Sequence, residues 1–265
     1  MNSSTFRPDI REYTSRSSIG VMLNLYEASR RTRDDLERIP GEVADALLYD
    51  PSYAANGEPY PRIALPEPLQ QSSSLEEALL TRTSLRFFSE ESVELAQLAT
   101  ILKTASAGDE QDWSQERAKG IALNLLVVAW RVHGLAPAVY SYIPESHELA
   151  RTNTVPDQYT EGKDLVLQTE FADAPVIVLI TGNLAAACMR HGAWGHRQLL
   201  LRAGAAGHRL WISSLGVGLV GTVFAGFLPR AAQRVANVDG YRNAGLFAYC
   251  TGHLHSNYMH LERRQ

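Results

Sequence analysis

Arg82, Ser84 and Arg86, at every second position of the run Arg82-Thr83-Ser84-Leu85-Arg86, are the residues of this chain whose types and spacing point most directly to chemistry. In an extended segment a period of two turns all three to one side. Guanidinium groups offer planar forks of N–H donors and a serine hydroxyl adds a short, directional one, a set that suits a phosphate. The same residue types also suit a solvated surface turn. Metal chemistry has less support: the histidines are scattered, and His253 with His255 at i, i+2 has no third ligand close in sequence. Cys188 and Cys250 lie far apart without metal-ligand spacing and read as reduced core thiols of a cytoplasmic protein.

Regular elements must hold that run in place. Upstream, Ser74-Leu-Glu-Glu-Ala-Leu-Leu opens like a capping box, with Ser74 three residues before Glu77 and Leu75, Ala78 and Leu79 as the apolar stripe. Downstream, Ser92 to Leu102 repeats the helical signal. Further helices are expected around Leu200, over Gln198 to Ser214, and around Ala231, with Pro229 in the first turn. Strands are expected over Leu125 to Val132, Ala138 to Tyr142, Val176 to Thr181, Leu219 to Phe224 and Leu246 to Thr251. This order predicts an α+β sandwich.

Gly216-Val-Gly218-Leu-Val-Gly221 matches a dinucleotide-binding fingerprint in letters, but that fingerprint needs a strand before and a helix after. Here the helix comes first, so the glycines read as a helix stop and a close packing point. Leu210 to Leu228 carries no charge over about the length of a bilayer span, yet its glycines and the charged residues before it favour a helix end, a turn and a buried strand.

Net charge is −4, from 29 acidic and 25 basic residues, which gives no general attraction to nucleic acid or to an anionic membrane. Residues 1 to 70 differ from the rest. They hold polar residues with Arg7, Arg11 and Arg16, no signal peptide pattern, an amphipathic stretch around Val21 to Ser29, a charged run from Arg30 to Arg38, and a Pro- and Tyr-rich loop from Asp50 to Pro68. They read as an arm packed on the core or on a second subunit, with residues 71 to 265 forming the main domain.

The layout of Arg82-x-Ser84-x-Arg86 followed by Phe87-Phe88-Ser89 resembles the opening of the nitroreductase-like flavin enzymes, where this motif holds the phosphate and ribityl chain of FMN. The resemblance runs from about Ser74 to Gly252. It takes in the Gly134-Leu135 hairpin with Tyr140 and Tyr142, the Gln168 to Gly182 segment with its Ala174-Pro175, and Leu215-Gly216 leading to Phe224-Ala225-Gly226-Phe227. Within that family the chain is similar to the SagB-type azoline dehydrogenases of ribosomal peptide biosynthesis, with Gly195-His196-Arg197 near the place of a Gly-Tyr-Arg.

The resemblance implies a central, mostly antiparallel sheet flanked by helices, in an intertwined homodimer whose flavins are each contacted by both chains. It implies an FMN site formed by Arg82, Thr83, Ser84, Arg86, Arg197, Phe224, Ala225 and Gly226. The stretch Ala203 to Gly207 has the small side chains that close helix approach between subunits needs.

Two departures from the family pattern bear on the chemistry. Relatives carry a Pro-Ser-Gly-Gly-Ala-Leu-Tyr-Pro-like loop against the flavin ring; this chain has Arg117-Ala-Lys-Gly-Ile-Ala-Leu-Asn124, keeping Gly120 and Ala122. Lys119 there serves either as a cation near the flavin or as a solvated side chain. Relatives also carry a Lys-Tyr pair that handles the substrate proton, where this chain has Arg190-His191. Arginine stays protonated, whereas a neutral imidazole accepts a proton, so His191 is the candidate base and Arg190 its electrostatic partner; the alternative is two ordinary polar residues at a helix start.

The function implied is FMN-dependent oxidation of azolines to azoles on a peptide or small-molecule substrate, in a cytoplasmic homodimer that works with other enzymes of a biosynthetic complex. An NAD(P)H-dependent nitroreductase and a non-catalytic scaffold are the alternatives.

Overall fold

The computed structural model describes residues 18–34, 41–54, 56–70, 74–159 and 161–258. The first part of the arm, with Arg7, Arg11 and Arg16, and the end of the charged run at Arg38 lie outside the described residues. In chain order the elements are α1 (Ser18–Ala28), β1 (Arg62–Ala64), α2 (Leu75–Thr81), β2 (Val93–Glu94), α3 (Leu95–Asp112), α4 (Ser114–Ala118), β3 (Leu123–Ala129), β4 (Val132–His133), β5 (Ala138–Ile143), β6 (Glu148–Asn153), β7 (Val176–Gly182), α5 (Leu184–His191), α6 (Trp194–Gly216), β8 (Val220–Phe224), α7 (Pro229–Ala236) and β9 (Ala244–Gly252).

Seven strands form one sheet in the order β1-β6-β5-β3-β7-β9-β8, and every neighbouring pair is antiparallel. The expected α+β sandwich with a central antiparallel sheet is what the chain forms. β1 comes from the segment before residue 70 and closes one edge of the sheet against β6.

Period-two alternation divides the central strands between two cores. On β3, Leu123, Leu125, Val127 and Ala129 join the cluster that packs under α3 and α6. Leu126 and Val128 join the opposite cluster, which takes Ala231, Ala232 and Val235 of α7. β7 does the same with Val176, Val178 and Ile180 on one side and Ile177 and Leu179 on the other. Burial on both faces is why these two strands read as continuous apolar runs. Each such Val, Leu or Ile contributes roughly 1.5–3 kcal/mol by leaving water.

Helix ends follow local chemistry. The Ser74 side chain accepts from the Glu77 N–H and starts α2. At α3, Glu94 and Gln97 form a reciprocal capping box, and the Gln97 amide also donates to the Val217 carbonyl, tying the start of α3 to the end of α6. The glycine run is a helix stop followed by a strand: Gly218 sits at φ +79° after α6, and a Cβ on Gly221 would lie 2.1 Å from the Cys250 carbonyl oxygen on β9. Pro229 opens α7.

Two elements near the candidate residues differ from the sequence expectation. The apolar run after Leu125 stops as a strand at Ala129 instead of Val132, because the Trp130 and Arg131 N–H groups both turn to the Pro175 carbonyl. α5 was not expected, since its Ala-rich sequence is short; Asn183 caps it by accepting from the Ala186 N–H. Arg190 and His191 therefore lie in the last turn of a helix and not at a helix start, where cations meet the negative end of the helix dipole. No helix among the described residues is long and apolar enough to cross a membrane.

The tie between the two long helices is electrostatic. Arg202 of α6, with a fully buried side chain, donates through Nε and Nη2 to the two carboxylate oxygens of Asp109 on α3, each at 2.8 Å. Trp113 lies 5.3 Å from the guanidinium, and Arg117 of α4 approaches the same carboxylate at 3.5 Å. Removing one member of a buried, hydrogen-bonded pair strands the other charge, so Arg202→Ala is expected to lower stability by about 3–5 kcal/mol. Replacing both partners with apolar side chains of similar volume is expected to cost less than either single truncation. Urea unfolding checks both; an unchanged midpoint for Arg202→Ala would remove the pair from the account of stability.

Candidate active site

The phosphate-type residues sit where α2 gives way to an extended segment. Residues 82 to 87 join no strand ladder: the Leu85 N–H reaches the Gly221 carbonyl at 3.4 Å, and a single antiparallel bridge joins Phe88 to Leu254. The Arg82 guanidinium lies 4.3 Å over the Trp211 ring of α6, and among the described residues no carboxylate pairs with it. Thr83 and Ser84 are exposed. The indole Nε1 of Trp211 is buried without a hydrogen-bond partner.

Arg86 turns to other neighbours. Its Nη1 stands 3.8 Å from Glu170 Oε1, and its guanidinium is 6.0 Å from the Phe171 ring, which packs on Phe224 at 4.4 Å between centroids. Ala225 and Gly226 follow directly, and the Gly226 carbonyl accepts from the Leu167 N–H. Arg86 and the Phe224 to Gly226 segment are thus brought together, while Arg82 rests on the α6 side of the sheet. The Arg82 guanidinium, with no carboxylate partner among the described residues, and the exposed Ser84 hydroxyl remain available to an anion, whereas Arg86 turns to Glu170 and Phe171, so within one chain the two arginines do not share the side that a period of two led one to expect.

Beside Phe87 and Ser89 runs the chain just beyond β9: the Ser89 N–H donates to the His253 carbonyl and the His255 N–H to the Phe87 carbonyl. The sequence links these two histidines to the arginine motif by no spacing signal.

The candidate base lies elsewhere. His191 Nε2 is 2.9 Å from Glu116 Oε2, and Arg190 Nε is 3.2 Å from the same oxygen. The carboxylate can only accept, so Nε2 carries the proton and Nδ1 is left as the basic nitrogen. Glu116, on α4, is the residue that sequence reasoning missed; its distance along the chain from His191 hides a contact that only folding makes. Tyr140 and Tyr142 are poor alternatives. Tyr140 donates to the Ala136 carbonyl at 2.6 Å. His147 Nε2 donates to the Pro66 carbonyl, which leaves Nδ1 to accept from Tyr142 at 2.8 Å. Burial raises the pKa of both phenols, so both keep their protons at neutral pH.

The loop before β3 is covered. Gly120 sits at φ +80°, and Leu48 occupies the space beside it, 2.4 Å from where a Cβ would lie. Lys119 Nζ is 3.4 Å from Glu42, so its neighbour here is an acid of the arm. Arg117, Asn124, Tyr142 and Glu145 line an adjoining cavity of about 200 Å³. Arg197, in the first turn of α6, lies 5.0 Å from the Tyr26 ring of α1. It is fourteen positions from Trp211 on the same helix, hence about 21 Å from the Arg82 end. Within one chain, Arg197 does not join the arginine motif.

Comparison with known proteins places this geometry in context. The model described as the nitroreductase family matches residues 79–253. A Methanocaldococcus jannaschii protein described as a nitroreductase is 29% identical over 175 residues, covering 63% of this chain and 86% of that one. Among solved structures, a protein of Anabaena variabilis described as a nitroreductase aligns with TM-score 0.63 and 21% identity over 74% of this chain. The chain spans 42% of that protein's length. A protein of Ralstonia eutropha with the same description gives TM-score 0.57 and 20% identity, covering 82% of this chain and 99% of that one. A chain of the Escherichia coli microcin synthetase McbBCD complex with truncated pro-MccB17 bound gives TM-score 0.54 and 14% identity, covering 93% of this chain and 97% of that one. At these identities the structural likenesses carry the fold alone.

Proposed function

The chain belongs to the nitroreductase family of oxidoreductases, and on that premise we propose that it is an FMN-dependent dehydrogenase that oxidises azolines to azoles within a peptide biosynthetic complex. The observation that carries this reading is the Glu116–His191 contact at 2.9 Å. Dehydrogenation removes a proton together with a hydride and therefore needs a base, whereas nitro reduction at the expense of NAD(P)H needs only a flavin and an open pocket. An imidazole with one nitrogen held by a carboxylate presents the other in one orientation, which suits proton abstraction. The likeness of fold to a chain of a microcin synthetase complex agrees with a biosynthetic setting.

Hydride acceptance is the chemistry that FMN would supply when bound. Arg82, Ser84 and Arg86 would hold its phosphate, with Thr83 and the Phe224 to Gly226 turn beside them. Gly120, Lys119 and Arg197 are the remaining candidates and belong to the other half of the site. Because the two halves lie at opposite ends of α6, completion by a second copy of the chain is part of the proposal. Exposed apolar side chains on the two small helices, Ile19, Val21, Met22 and Tyr26 of α1 with Leu79 and Leu80 of α2, favour such association. Ala203, Ala206 and Gly207, by contrast, are buried within the chain, Gly207 against Val223 and Ile180. They serve the packing of α6 on its own sheet.

Three outcomes follow from this assignment. Purified protein is expected to bind FMN and show flavin absorbance, and Arg82→Ala with Arg86→Ala to weaken that binding by orders of magnitude, since each charge-assisted contact is worth roughly 1.5–3 kcal/mol. Equal flavin affinity in the double variant would dismiss the motif. Sedimentation should report a dimer that persists on dilution; a monomer that holds FMN would dismiss the shared site. His191→Ala is expected to keep flavin and dimer while slowing azoline oxidation by roughly a hundredfold or more. Full activity in that variant would move the base elsewhere, and steady NADPH oxidation without any peptide would favour the nitroreductase alternative.

A further inference from the structure

The arm crosses the candidate catalytic residues in a particular way. Gly41 makes a two-way contact with Arg190: its N–H donates to the Arg190 carbonyl at 3.0 Å, and its own carbonyl accepts from Arg190 Nη1 at 3.1 Å. One residue on, Glu42 meets Lys119 at 3.4 Å. The Ala44 N–H points to the Met189 sulfur at 3.4 Å. After a single 3₁₀ turn at Asp45–Leu47, the Leu47 carbonyl accepts from the Asn183 side-chain amide at 2.6 Å. Leu48 then lies against Gly120.

Most of these contacts use the main chain of the segment, which any peptide carries; Glu42 and Leu48 contribute side chains, and the half-buried Val43 packs on the core cluster under α3 and α6. Most of the segment is exposed, Leu48 by 48%, so apart from Val43 little apolar burial holds it down. The His191 side chain, next along α5 from Arg190, is only 5% exposed.

We propose that the surface formed by α5 and the Lys119–Gly120 loop is a peptide-binding groove, and that Gly41–Leu48 is a tethered occupant that must leave before a substrate peptide enters. The inference rests on the peptide-oxidising reading above. Arg190 reads the backbone of the entering peptide from both sides of one residue, and Asn183 reads a carbonyl six residues further on. At the first position the groove selects glycine: a Cβ on Gly41 would lie 2.9 Å from the Met189 carbonyl oxygen. At the next it favours an acid opposite Lys119, and near Gly120 an apolar side chain. Arg190 is then a substrate-positioning residue, which accounts for its departure from the family's lysine without requiring it to take a proton.

A tethered segment competes at an effective concentration near the millimolar range, so a free peptide of about 100 μM intrinsic affinity would bind the native chain about tenfold more weakly than a chain whose strap is dislodged. The test uses a fluorescein-labelled synthetic peptide of the sequence Gly41–Asp50, blocked at both ends, followed by fluorescence anisotropy on the full chain. Gly41→Val and, separately, Glu42→Lys dislodge the strap by clash and by repulsion from Lys119. Either folded variant is expected to bind the peptide about tenfold more tightly than the native chain, and Lys119→Glu added to the Gly41→Val variant should abolish that binding until the peptide's own glutamate is changed to lysine. Equal binding to native chain and variants, or no binding to either variant, would overturn the groove, as would indifference to the charge swap. Anisotropy requires no flavin and no turnover, and flavin absorbance recorded on the same samples separates failure of the strap from failure of the FMN reading.

Discussion

The buried pair between Arg202 and Asp109 is the contact on which the candidate site depends. It joins the two long helices through a bidentate contact in which neither charge has ready access to water. A buried carboxylate needs more than one partner, and Arg117 supplies the second at 3.5 Å from α4. The neighbouring residue on α4 is Glu116, which holds Arg190 and His191 at the end of α5. A run of alternating charges therefore leads from the core of the α3–α6 contact to the candidate base. Moving α4 would move Glu116, and with it the orientation of the imidazole.

Covering both faces of the sheet leaves chemistry to its ends and to the loops beyond the strands. The arginine motif lies at the β8 edge, fastened by the Gly221 carbonyl and by the chain after β9. The loop at Gly120 and the end of α5 lie near the other end of α6, on the side reached by the arm. A cofactor whose phosphate sits in the first place and whose reactive ring meets the second would have to draw on two copies of the chain. The arm adds one further feature, because Gly41–Leu48 meets the end of α5 and the Lys119–Gly120 loop through contacts that are mostly polar.

The antiparallel sheet and most of its flanking helices were legible in the sequence. Strands β3, β5, β7, β8 and β9 announced themselves by continuous or alternating β-branched runs, and α3, α6 and α7 by period and by Pro229, because burial on a sheet face or helix stripe repeats every two or 3.6 residues. The meaning of the glycine run was also readable, since it depends on neighbours close in sequence. α5 and the small strands were not: a short Ala-rich helix and two- or three-residue pairings leave too few residues to repeat a period.

By itself, then, the sequence determined the class of fold and the helix–glycine–strand order at Gly216 to Gly221, and offered candidate anion donors at Arg82 to Arg86. Tertiary structure decided which of those donors keep company. It set Arg82 on Trp211 and Arg86 beside Phe171, carried Arg197 to the far end of α6, tied His191 to Glu116, and laid Glu42 on Lys119 and Leu48 on Gly120. The reason is physical: periodicity records which side of an element avoids water, and that is a local property. A contact between single polar side chains distant in the chain leaves no repeat for the sequence to display, and exists only once the helices and the sheet have packed.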